Sequence, residues 1–308
     1  MLIAHDIEVM KGKEKYLVSD NPITYQGLKV IGYDVEGAGY ERDYSAIDSL
    51  NGRFLTCTRE EKKKATLTLR YDVQTIAQAS QLKSRVQHLF SGELFLRELA
   101  ANDNTIPFLQ MDDEDYEFEL DYVDGRQLFV GLTSNVSFDT TKTQGTFTLD
   151  FETLELPYFE SIYYSTEIEK QFTDEELDMF IDFPIYSEDK RKVATFKNTT
   201  DDFLYYFGDV PIDQFNQDMV VEITLGQDTK DFTFDSGVKS ELMRIRNINL
   251  KAGDKIKYDG LQTYRNGMPI NEKKHVSGNQ PSLQPGYNHF HFNQKVQKVV
   301  FKYKLYWR

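Results

Sequence analysis

The sequence predicts a mainly β protein with one prominent helix, organised as two domains. Aromatic residues make up 14% of the chain, with 22 Phe and 19 Tyr, a composition typical of β-structure. Apolar and polar residues alternate strictly in several segments, as they do along a strand with one buried face. Helical spacing of apolar residues is clear in one long segment. The length of 308 residues leaves room for about two domains of ~100–200 residues each.

The first clear elements are a strand and the helix that follows it. Lys64–Tyr71 alternates apolar with polar residues, which predicts a half-buried strand. From Val73 to Phe90 the apolar residues share one helical stripe, so we predict a helix over 73–90. Asp72 is the predicted N-cap, and Gly92 is expected to end the helix. The stripe consists of Val73, Ile76, Ala79, Leu82, Val86, Leu89 and Phe90.

A hairpin and a further strand complete the first half. Aromatic and acidic residues alternate from Tyr116 to Tyr122, and Asp124-Gly125 is a favoured two-residue hairpin turn. Gln127–Thr133 is then the partner strand, and Gly145–Leu154 alternates again. Residues 1–160 are therefore predicted to form an N-terminal β domain covered by helix 73–90.

The second half reads as many short strands. Periodicity fades from Pro157 to Gln171, which marks the boundary, and Thr173-Asp-Glu-Glu176 resembles a capping box that opens a short helix. Strand-length segments separated by turn residues then predict a β-sandwich over residues 161–308. These segments are Lys192–Lys197, Leu204–Phe207, Met219–Leu225, Phe232–Phe234, Leu242–Asn249, Lys255–Tyr258 and a closing strand with Val299, Phe301, Tyr303, Leu305 and Trp307 on its apolar side, and Lys302, Lys304, Tyr306 and Arg308 opposite.

Targeting and redox signals are few. No segment approaches the ~18 uninterrupted apolar residues that a membrane span needs. The first ten residues lack the regions of a signal peptide, so synthesis in a reducing cytoplasm is expected. The single cysteine, Cys57, excludes an internal disulfide, and we predict that it is a small packed side chain.

The net charge of −14 is unevenly distributed. Residues 1–160 carry −12 and residues 161–238 carry −12, whereas residues 239–308 carry +10. A basic block of this kind favours either nucleic-acid binding or contact with an acidic surface of the same or a neighbouring subunit. We favour the acidic surface, because the basic residues alternate with core-type residues and form no arginine-rich run.

His289 and His291 are the best metal candidates, since side chains two apart in a strand share one face. Zinc needs three or four such ligands, and no HExxH or CxxC motif accompanies the pair. Phe290 and Phe292 alternate with the histidines, so a solvent-facing histidine pair beside a buried aromatic pair is the preferred interpretation. The pair is therefore predicted to be structural, although a metal-dependent hydrolase stays open as a third reading.

Other candidate chemistry is weak. Met111–Asp115 is acidic but lacks the spacing of an EF-hand loop, so a solvated turn is preferred over a calcium site. No glycine-rich phosphate loop and no nucleophile elbow occurs. We accordingly predict no catalytic, metal-binding or cofactor-binding residues, and no enzymatic activity.

Exposed aromatic rings provide the main alternative function, a carbohydrate-binding module that grips a cell-wall glycan. The stacking candidates are tyrosines, because the only tryptophan, Trp307, falls on the apolar side of its strand. Tyrosine is also favoured in protein interfaces and cores, so these positions do not by themselves indicate sugar binding. The candidates are Tyr163, Tyr164, Tyr205 and Tyr206.

The last seventy residues carry an ordered set of motifs. A GD turn, a strand ending in Asp, an NG hairpin, an L-x-P-G-x-N loop and a basic aromatic strand follow one another. This order resembles the C-terminal domain of phage distal tail (Dit) proteins, and the order of elements in the first half is compatible with their N-terminal domain. The motifs are Leu242–Asn249, Ala252–Asp254, Lys255–Asp259, Tyr264–Gly267, Leu283–Asn288 and Tyr306–Arg308.

This resemblance implies a structural virion protein of a long, non-contractile tail. Its N-terminal domain would be a split-barrel-like β fold that forms a hexameric ring, and its C-terminal domain a galectin- or carbohydrate-module-like sandwich. The implied partners are the major tail tube protein, the tail-tip hub protein and receptor-binding or fibre proteins. The genomic DNA would pass through the lumen, and an acidic lumen would repel its phosphates. The motifs are expected to act as fold determinants, since they are turn residues.

Overall fold

The computed structural model describes residues 4–47, 51–101, 118–171, 192–213, 216–235, 243–260, 262–270, 276–277 and 281–308. These residues are mainly β, with two helices among twenty strands, as the sequence predicted. No helix in the described ranges has the length and apolar character needed to cross a membrane. The chain divides into two compact units, one of residues 1–159 with Arg308 and one of residues 160–307.

The first unit is built on an antiparallel sheet covered by helix α1 (Ile76–Phe90). Its strands are β1 (His5–Lys11), β2 (Glu14–Leu17), β3 (Leu28–Val35), β4 (Tyr40–Ser45), β5 (Phe54–Glu60), β6 (Lys64–Asp72), β7 (Glu93–Ala101), β8 (Leu120–Leu132) and β9 (Gln144–Thr153). Seven of them pair in the order β2-β1-β7-β8-β9-β6-β3, while β4 and β5 form a separate pair. The predicted alternation is confirmed in β6 and β9, whose inward side chains are Ala65, Leu67, Leu69, Tyr71, Phe147, Leu149 and Phe151.

Helix α1 begins three residues later than predicted. Thr75 is its N-cap: the Thr75 hydroxyl accepts the Gln78 amide at 3.3 Å, and the Gln78 side chain accepts the Thr75 amide at 3.1 Å. Asp72 is not the cap, because it is the last residue of β6 and pairs there with Gln144. The buried stripe from Ala79 to Phe90 is as predicted, whereas Val73 precedes the helix and is partly buried, and Ile76 is exposed.

The predicted hairpin turn at Asp124-Gly125 is wrong. Both residues have positive φ angles, 52° and 54°, as a tight hairpin turn requires. The chain nevertheless continues along the same neighbouring strand, since Tyr122 pairs with Leu99 and Gln127 with Arg97. The residues between form a bulge within one long strand, β8. Residues in the left-handed conformation occur in bulges as well as in hairpin turns.

The second unit contains helix α2 (Ser165–Gln171) and a second, larger set of strands. These are β11 (Thr195–Tyr206), β12 (Met219–Leu225), β13 (Thr229–Asp235), β14 (Met243–Leu250), β15 (Lys255–Tyr258), β16 (Thr263–Arg265), β17 (Met268–Pro269), β18 (Val276–Ser277) and β19 (Gly286–Tyr303), with the short strands β10 (Phe159–Ser161) and β20 (Tyr306–Trp307) pairing with each other. The sheet order is β17-β16-β15-β12-β19-β13-β14-β18, and β11 also pairs with β19. Two segments predicted as separate strands, Lys192–Lys197 and Leu204–Phe207, belong to the single strand β11.

Strand β19 bends sharply, so that one hydrogen-bonded sheet supplies both layers of a sandwich. Phe290 and Phe301 are eleven residues apart, which would separate them by roughly 36 Å in a straight strand. Their ring centroids are 4.9 Å apart, and the ring of Phe196 lies 4.9 Å from that of Phe290. The register with β11 shifts at the bend: Thr199 pairs with Val296 and Asp201 with His291, so four residues of β19 lie opposite one residue of β11. The predicted β-sandwich is therefore closed by a fold in its longest strand.

The end of the chain departs from the predicted alternation. The predicted inward residues are buried up to Leu305, but Lys304 and Tyr306 are buried as well, at 6% and 2% exposure. The Lys304 ammonium donates to the carbonyls of Ser161 and Ile162 at 2.7 and 2.6 Å, so its charge is not left without partners. The closing strand breaks after Tyr303, which explains why one alternation does not reach the terminus.

Candidate assembly interface

Strands β4 and β5 form a two-stranded antiparallel ribbon, called the ribbon below. No third strand pairs with it among the residues that the structure describes. Every residue of β4 and all of β5 except Glu60 are exposed. The ribbon continues the β3–β6 pair, since the Gly39 amide donates to the Lys62 carbonyl and the Glu61 amide to the Gly39 carbonyl. It is therefore anchored at one end, and its exposed apolar side chains would gain stability from a further contact.

One face of the ribbon, called its apolar face below, carries Tyr40, Tyr44 and Leu55 together with Arg42, Thr58 and Glu60. Tyr44 pairs with Leu55 and Tyr40 with Glu60, and directly paired or alternate residues share a face. Tyr40, Tyr44 and Leu55 are 58%, 43% and 56% exposed. The guanidinium of Arg53 lies 3.8 Å from the centroid of the Tyr44 ring. Exposed tyrosine with arginine over an apolar patch is the composition that marks protein interfaces.

The opposite face of the ribbon is charged. Arg59 bonds Glu41 at 2.7 Å and Asp43 at 2.9 Å, and these carboxylates raise the pKa of Arg59 above its ordinary value. Exposed pairs of this kind contribute at most ~1 kcal/mol each, so they do not explain why the ribbon is folded. Phe54, 54% exposed, lies opposite Ser45 on this second face, so the ribbon exposes apolar surface on both sides.

Cys57 lies on this ribbon and is exposed. The prediction that it is a packed side chain is wrong. It pairs with Asp43 on the face of the ribbon that carries Glu41 and Arg59.

A buried polar cluster lies on the sheet of the first unit, on the face opposite Ile7 and Val9. Arg97 Nη1 donates to Glu8 Oε1 at 2.8 Å, and Arg97 Nε donates to Gln127 Oε1 at 2.7 Å. The Tyr122 hydroxyl donates to the Glu8 carboxylate at 3.1 Å. The side chains of Arg97 and Glu8 are only 5% and 10% exposed, so their mutual ion pair is the main compensation of both charges, with Lys15 a second cation 3.8 Å from Glu8.

His289 and His291 lie on the outer face of β19, with Phe290 and Phe292 buried beneath them. This placement agrees with the preferred interpretation of the pair. His289 Nε2 lies 2.7 Å from Asp201 Oδ1, and this hydrogen bond lowers the pKa of Asp201 below its ordinary value. In the described ranges, no group of three or more His, Cys, Asp or Glu side chains has the geometry to hold a metal ion.

The predicted stacking tyrosines are scattered. Tyr206 is fully buried and accepts the Tyr306 amide, and the hydroxyl of Tyr164 donates to Asp218 at 2.9 Å. Tyr205 alone lies in a cluster of exposed rings, and its neighbours Phe203 and Tyr287 were missed by the sequence reasoning. The alternation of β11 and β19 predicts that both face outward, because Phe203 lies two positions from Tyr205 and Tyr287 lies two positions from His289.

Three lysines of the basic block line a cavity of about 660 Å³ on the outer face of the sandwich layer that contains β12 and β15. They are Lys255, Lys257 and Lys298, and the cavity is also lined by Tyr264 and by the single carboxylate of Glu222. These three lysines of the basic block therefore lie on the surface of the folded sandwich. The predicted acidic turn Met111–Asp115 and the predicted capping box Thr173–Glu176 lie outside the described residues.

Comparisons with known proteins point to one fold. No family model and no curated protein sequence matches the chain. The crystal structure of the Dit protein (gp 19.1) of phage SPP1, described as a paradigm of the hub adsorption apparatus in phages that infect Gram-positive hosts, matches over 97% of this chain and 99% of its own, with a TM-score of 0.59 and 10% identity. Two structures of the phage p2 baseplate in its activated conformation, with Sr and with Ca, match with TM-scores of 0.39 and 0.40 at 8% identity, over 97% and 98% of both chains.

The agreement with the SPP1 protein runs through both units of the chain. The resemblance that the turn motifs after Leu242 indicated is thus confirmed at the level of the fold, although almost no sequence identity remains. The chain has the fold of a phage distal tail protein.

Proposed function

We propose that this chain is a structural, non-enzymatic protein of the phage virion, located in the distal tail or baseplate of a long, non-contractile tail. Six copies close into a ring that connects the tail tube to the tail tip. The unit of residues 1–160 makes the ring, and the sandwich of residues 161–308 lies at its periphery. The chain is made in the host cytoplasm and enters the virion on assembly.

The single observation that carries this proposal is the ribbon. Its apolar face, with Tyr40, Tyr44 and Leu55, is more than 40% exposed at each of these residues. No third strand in the described part of the chain pairs with the ribbon. A second copy of the chain is the occupant that we propose, because a ring forms when one patch of each subunit contacts a different patch of the next.

The fold supports the same assignment. The SPP1 protein with this fold is described as part of a hub adsorption apparatus. By that likeness, the proposed partners are the major tail tube protein, the tail-tip hub protein and receptor-binding or fibre proteins.

The charge distribution supports contacts between unlike surfaces. Residues 1–160 carry −12 and residues 239–308 carry +10, so acidic and basic patches can meet when copies or partners associate. We further propose that part of the acidic surface lines the lumen. Repulsion between this surface and DNA phosphates would keep the genome from binding to the lumen wall as it passes.

The test is the molar mass of the assembled protein, measured by light scattering during size-exclusion chromatography. Wild type is mixed with its tail-tip partner, or concentrated alone, and is expected to form a six-copy particle. Leu55→Asp places a charge in the proposed contact and is expected to abolish that particle. Ile76→Asp is the matched control, because Ile76 is 57% exposed, close to the 56% of Leu55, but lies on helix α1.

Two outcomes would contradict the proposal. One is that the wild-type chain stays monomeric alone and with its partner. The other is that Leu55→Asp assembles as well as Ile76→Asp does.

A further inference from the structure

A strip of aromatic and polar side chains crosses strands β11 and β19 on the outer face of the sandwich. The backbone register pairs Phe203 with His289 and Tyr205 with Tyr287. The ring centroids are 4.9 Å apart in the first pair and 4.8 Å apart in the second. Since residues two apart in a strand are roughly 7 Å apart, the two ring pairs lie side by side. The ring planes meet at 46° in the first pair and 80° in the second, so a ligand would pack on the face of one ring at a time. These four rings, with Asp201 and His291 at one end, are called the aromatic strip below.

The aromatic strip is exposed although it is rich in apolar surface. Phe203 and Tyr287 are 56% and 62% exposed, and the side chain of His289 is 41% exposed. Their neighbours in the two strands point inward and are almost fully buried, notably Leu204 and Phe290. The core therefore fixes the backbone from which the exposed rings project, which limits the entropy cost of binding to the side chains.

The polar end of the strip is also fixed. Asp201 pairs with His291 in the register, and the carboxylate of Asp201 is held by His289 at 2.7 Å. Asp201 Oδ2 lies 3.6 Å from His291 Nδ1, too far for a good hydrogen bond. Each of these two groups therefore retains hydrogen-bonding capacity beside the rings.

We propose that the aromatic strip is a saccharide-binding site for short neutral oligosaccharides. The C–H face of a pyranose ring carries partial positive charge and packs on the negative face of an aromatic ring such as Tyr287 or Phe203. The ring hydroxyls then bond Asp201 and His291, as a few well-placed polar groups do in ligand sites. Neutral sugars are favoured over acidic ones because the polar end carries a carboxylate.

The dimensions favour a saccharide over a protein partner. The strip consists of six side chains on two strands, namely Asp201, Phe203, Tyr205, Tyr287, His289 and His291. A stable protein interface uses ~20–30 residues on each side. A strip of this size matches one or two sugar rings instead.

Saturation-transfer NMR on the full chain tests this assignment. The probes are neutral di- to tetrasaccharides of glucose, galactose, rhamnose, N-acetylglucosamine and N-acetylgalactosamine. Wild type is expected to bind at least one of them, and the double variant Phe203→Ala/Tyr287→Ala is expected to bind it at least about tenfold more weakly. Tyr25→Ala is the matched control and should bind as wild type does, since Tyr25 is 59% exposed but lies in the first unit.

Two further variants keep the result decisive. Tyr287→Phe retains the ring and should retain saccharide binding. Asp201→Ala should weaken saccharide binding without changing the unfolding temperature of the protein, because Asp201 is exposed. The proposal is overturned if no probe binds wild type, or if the double variant binds with unchanged affinity while Tyr25→Ala and wild type agree. The strip would then be left as a surface for a protein partner.

Discussion

The side-chain amide of Asn266 donates a 2.7 Å hydrogen bond to Asp254 Oδ1, which ties together two of the turns that carry the family resemblance. Asn266 and Gly267 have φ angles of 50° and 82°, as the NG hairpin turn requires, and Gly253 has 84°. Asn266 Oδ1 also accepts the amide of Lys255, the first residue of β15. These motif residues act on the backbone of the sandwich, as expected of fold determinants.

Asp254→Ala is expected to destabilise the second unit by about 1–3 kcal/mol, because it leaves several donors without an acceptor. The Asp254 carboxylate accepts the Lys251 amide at 2.7 Å and Arg265 Nε at 2.8 Å, and its side chain is only 10% exposed. Urea unfolding measures the change. The exposed residue Glu222 on β12 provides the control, since Glu222→Ala should stay within about 0.5 kcal/mol of wild type. Equal effects of the two substitutions would contradict this account of the turns.

The same carboxylate predicts a pH dependence of stability. Burial by itself raises the pKa of Asp254, but hydrogen bonds from the Lys251 amide, Asn266 and Arg265 outweigh it and hold the pKa below its ordinary value of 3.8. A lowered pKa in the folded state means that the ionised form contributes stability above pH ~4, and that this contribution is lost as the pH falls through the folded-state pKa. The difference in unfolding free energy between wild type and Asp254→Asn should therefore shrink from pH ~5 to pH ~2. A difference that stays constant over this range would show that the charge is not involved.

Arg97→Met is expected to destabilise the first unit by about 3 kcal/mol, because it removes the nearest cation of the buried Glu8 carboxylate and leaves only Lys15 at 3.8 Å. The double variant Glu8→Gln/Arg97→Met removes both charges and should recover a large part of that loss. Urea unfolding of the four proteins of this cycle gives the coupling free energy. Strictly additive effects would mean that the 2.8 Å ion pair contributes no coupling.

Gly226→Ala is expected to cost about 1–3 kcal/mol, because a Cβ atom there would lie 2.6 Å from the Lys295 carbonyl oxygen in the backbone of β19. Gly32→Ala is the matched control, since its Cβ would meet nothing closer than 3.9 Å. Thermal unfolding compares the two variants. A Gly226→Ala protein as stable as the control would contradict the close approach of these strands.

The elements predicted best from sequence are those with one buried face. The predicted bounds of Met219–Leu225 and Lys255–Tyr258 are those of β12 and β15, because their alternation is a direct record of burial. The error at Asp124-Gly125 has a different origin. The local conformation was predicted correctly, but whether two left-handed residues reverse a strand or bulge it depends on β7, far away in sequence.

The candidate sites were harder to predict. The ribbon was missed because almost all of its residues are exposed, so its sequence carries no alternation of buried and exposed positions. The aromatic strip was found only in part, because its formation needs the register that places Phe203 beside His289. The bend of β19 is likewise set by the distant contact of Phe290 with Phe301, which no local pattern records.

The central claim is that the ribbon joins copies of this chain into a closed ring. Counting the copies in particles of the assembled protein by electron microscopy tests it most directly. We expect annular particles with six subunits for the wild-type chain and for Ile76→Asp, and none for Leu55→Asp. Lone particles under every assembly condition, including in the presence of the tail-tip partner, would contradict the claim.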